Sequence, residues 1–134
     1  MKGNINKLVF AFFICLTAVV TVATPSSADY DYGGIYGWYN FKTGDGLWDG
    51  SMTARSGDNV DVTIMWETSD KLKVRLCSAA TGNCTAYRYL TRGGLYYEQT
   101  VTFTNMVAGS YYGDVVNATS SRRVNGKIRF LTFR

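Results

Sequence analysis

Between Asn59 and Cys77 the chain alternates apolar and polar residues twice in succession. Val60, Val62, Ile64 and Trp66 alternate with Asn59, Asp61, Thr63 and Met65; Leu72, Val74 and Leu76 alternate with Lys71, Lys73, Arg75 and Cys77. Successive side chains of a strand point to opposite faces, so each run describes a strand with one buried face and one free face. Thr68-Ser69-Asp70 between them is turn chemistry. A helical period would spread these apolar residues around the whole cylinder, which leaves β-structure as the only arrangement that collects them.

The same grammar continues on both sides. Ile35 to Lys42 is aromatic and strand-like, Thr43-Gly44-Asp45-Gly46 is a hairpin turn, and Leu47 to Ala54 follows with Trp48, Met52 and Ala54 expected on one face. After Cys77, the segment Ser78 to Asn83 reverses the chain, its Gly82-Asn83 pair supplying the backbone freedom of a tight turn, into a strand over 84–90. Strands are expected again over 96–103, 110–117 and 127–133, separated by Gly- and Asn-containing turns. About eight short strands with no helical period predict a single all-β domain, a sandwich of mainly antiparallel strands.

The first part of the chain obeys other rules. Lys2 and Lys7 precede an uncharged apolar run from Leu8 to Val22, and the polar Ala23-Thr24-Pro25-Ser26-Ser27-Ala28 follows. Small residues at Ser26 and Ala28 fit a cleavage site before Asp29, so residues 1–28 read as a secretory signal peptide. The apolar run is short for a membrane span, which needs about 20 residues. Cys15 sits inside it after bulky Phe12-Phe13-Ile14, which argues against lipidation. The expected product is secreted, with a short flexible lead over 29–34, the sandwich over 35–134, no further membrane segment, and a monomeric state.

Removing Lys2 and Lys7 lowers a whole-chain net charge of +4 to a mild excess, too small for a nucleic-acid footprint. The cysteines left, Cys77 and Cys84, are an even pair in an exported chain and predict a disulfide. With no histidine in the chain, a zinc site lacks ligands, and Ser-His or Cys-His catalytic arrangements are excluded. Paired carboxylates of a hydrolase remain possible, but the Asp residues are scattered over turns and strand faces. No catalytic, metal or cofactor residue is therefore assigned.

The segments GDNVDVTIMW, KLKVRLCSAATGNC and EQTVTFTNMVAGSYYGDVVN, with the closing strand to Phe133, resemble the bacterial pre-peptidase C-terminal type of module over about residues 57–133. That resemblance implies a jelly-roll-like sandwich and an exported accessory module, one usually attached to a hydrolase. Several such modules hold calcium through acidic residues near their start. Here Asp29, Asp31, Asp45 and Asp49 are available, but no spacing marks a site.

What remains chemically distinctive is aromatic and cationic. All ten Tyr and all three Trp fall after the signal segment. Adjacent tyrosines in a strand point to opposite faces, so one of Tyr96/Tyr97 and one of Tyr111/Tyr112 must be outside. Exposed flat rings on a sheet form a platform for sugar rings or a protein partner, although tyrosine also simply favours strands. Lys71, Lys73, Arg75 and Arg88 are expected on the outer face of one hairpin. Such a cationic face suits an anionic polymer, and equally serves as a solvated face that discourages edge pairing. The expectation is a secreted, non-enzymatic module that binds a cell-surface glycan, a cell-envelope polymer or a protein. Its candidate ligand-binding residues are Trp38, Tyr87, Tyr89, Tyr96, Tyr112, Lys71, Lys73 and Arg75. The competing class is a small secreted effector, an antibacterial toxin or a protease inhibitor, the latter presenting the disulfide-closed loop Ser78 to Asn83.

Overall fold

A computed structural model describes residues 31–91 and 98–134. The signal segment, and with it the proposed cleavage site, lies outside the described residues. Eight strands run in chain order: β1 Tyr32–Lys42, β2 Ser51–Ala54, β3 Asn59–Trp66, β4 Leu72–Ser78, β5 Arg88–Leu90, β6 Glu98–Phe103, β7 Gly109–Asn117 and β8 Asn125–Phe133. They form two four-stranded sheets, sheet A in the order β1-β8-β3-β6 and sheet B in the order β2-β7-β4-β5. All the pairings are antiparallel. Consecutive strands mostly alternate between the sheets, which is the interleaving of a jelly roll.

The alternation does what strand geometry demands. Val60, Val62, Ile64 and Trp66 of β3 and Leu72, Val74 and Leu76 of β4 are all buried and face one another across the sandwich. Ile128 and Phe130 of β8 extend the layer beside Ile64 and Val62. Burying each such side chain contributes roughly 1.5–3 kcal/mol, before the entropy of ordering the chain is subtracted. Two polar groups drawn inside on aromatic side chains have partners: the Trp66 indole N–H donates to the Asp70 carbonyl at 3.0 Å, and the Tyr111 hydroxyl to that of Val107 at 2.8 Å.

Two boundaries depart from the sequence pattern. Tyr32 to Gly34, expected in a flexible lead, already pair with Phe133 and Thr132 of β8. The Arg134 N–H also donates to the Asp31 carbonyl at 3.0 Å, so the entry to β1 and the exit of β8 are held together. The strand expected over 84–90 forms a ladder only at β5. The Thr85 hydroxyl accepts the Leu76 N–H at 3.1 Å, so a side chain takes the donor that a regular ladder would use. Cys84 makes an isolated bridge to Cys77.

That bridge carries the disulfide Cys77–Cys84, with Cα atoms 4.0 Å apart. It closes a short loop, so its effect on the unfolded chain sits near the low end, roughly 2–3 kcal/mol. The double variant Cys77→Ala/Cys84→Ala is expected to fold with stability reduced by about that amount. Urea unfolding measures it, and an unchanged midpoint would show that the loop is held by its hydrogen bonds alone.

Just before β3, Asp58, 1% exposed, accepts hydrogen bonds from the Arg55 N–H at 2.8 Å and the Arg134 guanidinium at 2.7 Å. Burial works against its charge. The Arg55 N–H and the Arg134 and Arg55 side chains together outweigh it and hold the carboxyl below the ordinary range. A lowered carboxyl stabilises the fold above its unfolded value and loses that contribution as pH falls through the folded one. Stability is thus expected to decline below a pH of about 4, and Arg134→Gln to shallow that decline. Thermal melts of parent and variant across the acid range check this; superimposable acid limbs would refute it.

Candidate functional site

The outward face of sheet B gathers most of the aromatic and cationic residues singled out above. Register places Lys73 opposite Tyr89 on β5, and Arg75 opposite Asp114 and Cys77 opposite Tyr112 on β7. Residues directly opposite share a face. The Lys73 ammonium lies 4.5 Å from the Tyr87 ring centroid and 6.0 Å from that of Tyr89. The Arg75 guanidinium lies 4.6 Å from the Tyr87 ring. Each cation–ring contact at such an exposed position contributes about 0.5–1 kcal/mol. Of Tyr111 and Tyr112, the first is buried and the second faces outward, as strand parity requires.

Asp114 is the hub of this face. Its carboxylate accepts from Arg75 Nε at 2.7 Å and from the Tyr87 hydroxyl at 3.2 Å. Burial, and after it the Asp114 charge, push the Tyr87 hydroxyl above its usual range, which keeps it a donor. Arg75 is therefore not a free cation. Lys71 precedes β4 and is exposed.

Trp38 stands apart from the other candidates, and two expectations, for Arg88 and Cys77, are corrected. Trp38 lies on β1 in sheet A, 40% exposed, with the Arg129 guanidinium 4.7 Å from its ring; it is on the other side of the molecule. Arg88 pairs with Val74, so it points to the core side and reaches over the Phe103 ring at 5.9 Å. Cys77, expected outward with the lysines, is fully buried beneath the loop it closes. Tyr96 lies outside the described residues.

The residue missed is Trp48. Period two puts it on one face with Met52 and Ala54, which are buried, but β2 begins only at Ser51. Gly50 at φ +91° breaks the period before it. Trp48 is 51% exposed and stacks on Tyr112 at 5.4 Å with the rings 11° from parallel. Two aromatics stacked in parallel planes therefore stand at one end of the face, with the Tyr87–Tyr89 pair across β4.

The loop over 43–50 that presents Trp48 is stitched to β7. Thr43, buried, donates its N–H to the Val124 carbonyl at 2.9 Å and accepts the Val124 N–H at 2.8 Å. The Asp45 carboxylate accepts the Leu47 N–H at 2.9 Å, closing a local turn. The Asp49 N–H donates to the Gly113 carbonyl at 2.8 Å, and the Asp49 carboxylate accepts the Val115 N–H at 2.8 Å. Gly113 is required for that approach, since a Cβ there would sit 2.9 Å from the Asp49 carbonyl oxygen and 2.9 Å from the Phe130 ring. Beside the loop is a cleft of about 300 Å³ whose lining includes Leu47, Trp48, Asp45 and Asp114. Among the described residues no group of three or more His, Cys, Asp or Glu is arranged to hold a metal ion.

Asp49 is 3% exposed, and burial pushes its carboxyl up to about 6; the Val115 N–H works against this and the charges of Asp45 and Asp114 add to it. The unfolded chain ionises this group first, so stability is expected to fall as pH rises from about 4 to about 6 and to level off above. Asp49→Asn keeps an acceptor for the Val115 N–H and removes the charge. It is expected to flatten this part of the stability profile, whereas Asp49→Leu leaves a buried N–H unpaired and destabilises at every pH. Chemical unfolding at several pH values reads both effects, and a slope unaltered in Asp49→Asn would refute the assignment. No protein-family model matches this chain and no curated protein does, so what the face can bind follows from its own chemistry.

Proposed function

We propose that this domain is a secreted, non-enzymatic module that binds an extracellular glycan or cell-envelope polymer on the outer face of sheet B. The observation that carries the reading is the Trp48–Tyr112 stack, its ring planes 11° from parallel, on the same sheet face as Tyr87 and Tyr89. Stacked rings backed by a sheet are a rigid apolar surface that loses little entropy on binding. The polar groups around them, Asp114, Arg75 and the Tyr87 hydroxyl, are mutually oriented rather than mobile. The carboxylates near the cleft support a binding role over a hydrolytic one. Asp114 is engaged by Arg75 and Tyr87, and Asp49 is turned onto the Val115 N–H, so neither is offered as a free acid or base.

The test is co-sedimentation of the purified protein with insoluble polysaccharides and isolated cell-wall material. Retention is expected for the parent and for Trp38→Ala, whose change lies on sheet A. Trp48→Ala combined with Tyr89→Ala is expected to weaken it by about tenfold or more, the scale of losing aromatic anchors. Loss in Trp38→Ala with retention in the double variant would move the site to sheet A. No retention on any matrix would set aside the glycan reading and bring forward the exposed loop from Ser78 to Asn83 as an inhibitor's contact segment.

A further inference from the structure

Resting on the reading that the outer face of sheet B is the binding face, we propose that its ligand is an uncharged, hydroxyl-rich glycan chain. The chain seats in the cleft beside Trp48, not on the cationic strip of Lys71, Lys73 and Arg75. The two halves of the face differ in charge. The cleft places the Trp48 ring and the exposed Leu47 against the carboxylates of Asp45 and Asp114, with Lys42 as its one lining cation. The charges there cancel, Asp114 being paired with Arg75 and Asp45 offset by Lys42, so an anionic polymer entering the cleft finds no net attraction to repay its desolvation.

A neutral sugar fits the same groups. One side of its ring is a patch of C–H bonds, which lies on the electron-rich face of an aromatic. Its rim is hydroxyl groups, which donate to carboxylate oxygens in charge-assisted hydrogen bonds stronger than neutral ones. Asp114 is already held in place by Arg75 and Tyr87, so its orientation is fixed before any ligand arrives. Arg75 and Tyr87 are accordingly positioning residues that act through Asp114.

The cationic half offers less than its residue count promises. Arg75 is neutralised by Asp114 at 2.7 Å, and Lys73 lies over the Tyr87 and Tyr89 rings. A seat longer than one sugar is available instead on the other flank of the loop. There a second cleft of about 390 Å³ shares Asp45, Leu47 and Trp48 with the first and adds Asn40 and Asn125. Their side-chain amides both donate and accept, the pairing that a hydroxyl needs.

The experiment compares retention of the purified protein on chitin and microcrystalline cellulose, both uncharged, with retention on polygalacturonate and on teichoic-acid-bearing walls, at low salt and at high salt. Four variants are run beside the parent: Trp48→Ala, Trp48→Phe, Asp114→Asn, and the double variant Lys71→Gln/Lys73→Gln. Near-UV circular dichroism confirms that each is folded. The expected result is retention on an uncharged matrix that survives high salt and falls about tenfold in Trp48→Ala. It should be largely kept in Trp48→Phe, weakened in Asp114→Asn, and unchanged in the lysine double variant. Retention confined to the anionic matrices, fading with salt, abolished in the lysine variant and intact in Trp48→Ala, would overturn this inference while leaving the face as the binding surface. Absence of retention on every matrix, or equal retention by all variants, would overturn the inference and the broader reading together.

Discussion

The rest of the molecule depends on the burial of alternate residues along β3. Val60, Val62, Ile64 and Trp66 are closed in by β8 on one flank and β6 on the other, and by Leu72, Val74 and Leu76 from the opposite sheet. Because the side-chain period of a strand is two, committing one set of residues to the core commits the other set to the outside. A one-residue slip of β4 would bury Lys73 and Arg75 and expose three aliphatics, so the register of sheet B is strongly held. The outer faces are then free of structural duty. A jelly roll of this size has two such faces, and on sheet B the outer positions of β4, β5 and β7 carry tyrosines and charges that only the register brings together.

How far the sequence could be read follows from that periodicity. Lys73 and Arg75 fall on one face because parity within a strand is local information, and the tight turn at Gly82-Asn83 joins β4 to β5 without a crossover. Parity cannot say which sheet a strand joins. β1 pairs with β8 from the far end of the chain, which is why Trp38 separates from the other aromatics. A register shift between Tyr36 and Tyr39 also breaks its count. Arg88 was misplaced for a related reason: the Thr85 hydroxyl replaces a ladder hydrogen bond, so the count from Cys84 to Arg88 does not start from a regular strand. Trp48 was invisible because it stands in a loop whose shape comes from glycines at positive φ and from contacts with β7, none of which has a period.

Charge is a further case where a list of residues misleads and geometry decides. Lys71, Lys73 and Arg75 in sequence look like a positive field. In the fold, the residue opposite Arg75 is Asp114, and the tyrosines opposite the lysine strand stack under its cations. Exposed ion pairs of this kind add little to stability, with a median of about 0–1 kcal/mol. Their effect here is on orientation: a guanidinium and a phenol acting on one carboxylate leave it one direction to face. The network around Asp58 acts on shape differently. It is buried, and it ties the β2–β3 turn to the last residue of the chain through Arg134, so its loss would reach the framework rather than the face.

The Asp49 carboxylate shows why the Trp48 end of the face is the more purposeful one. Its N–H pairs with Gly113, its side chain takes the Val115 N–H, and the Gly113 N–H returns to the Gly50 carbonyl at 3.1 Å. The loop is thus bound to β7 almost as a strand would be, without the alternation of one. A strand would have turned Trp48 inward; this stitching turns it outward and lays it against Tyr112. Keeping an ionisable group buried at that junction costs stability at neutral pH, as its raised titration shows, and a plain hydrophobic turn could have closed the sandwich without that cost. The structural gain that offsets it is an exposed tryptophan held at a fixed angle beside a cleft, the pre-oriented aromatic wall on which the proposed sugar seat rests.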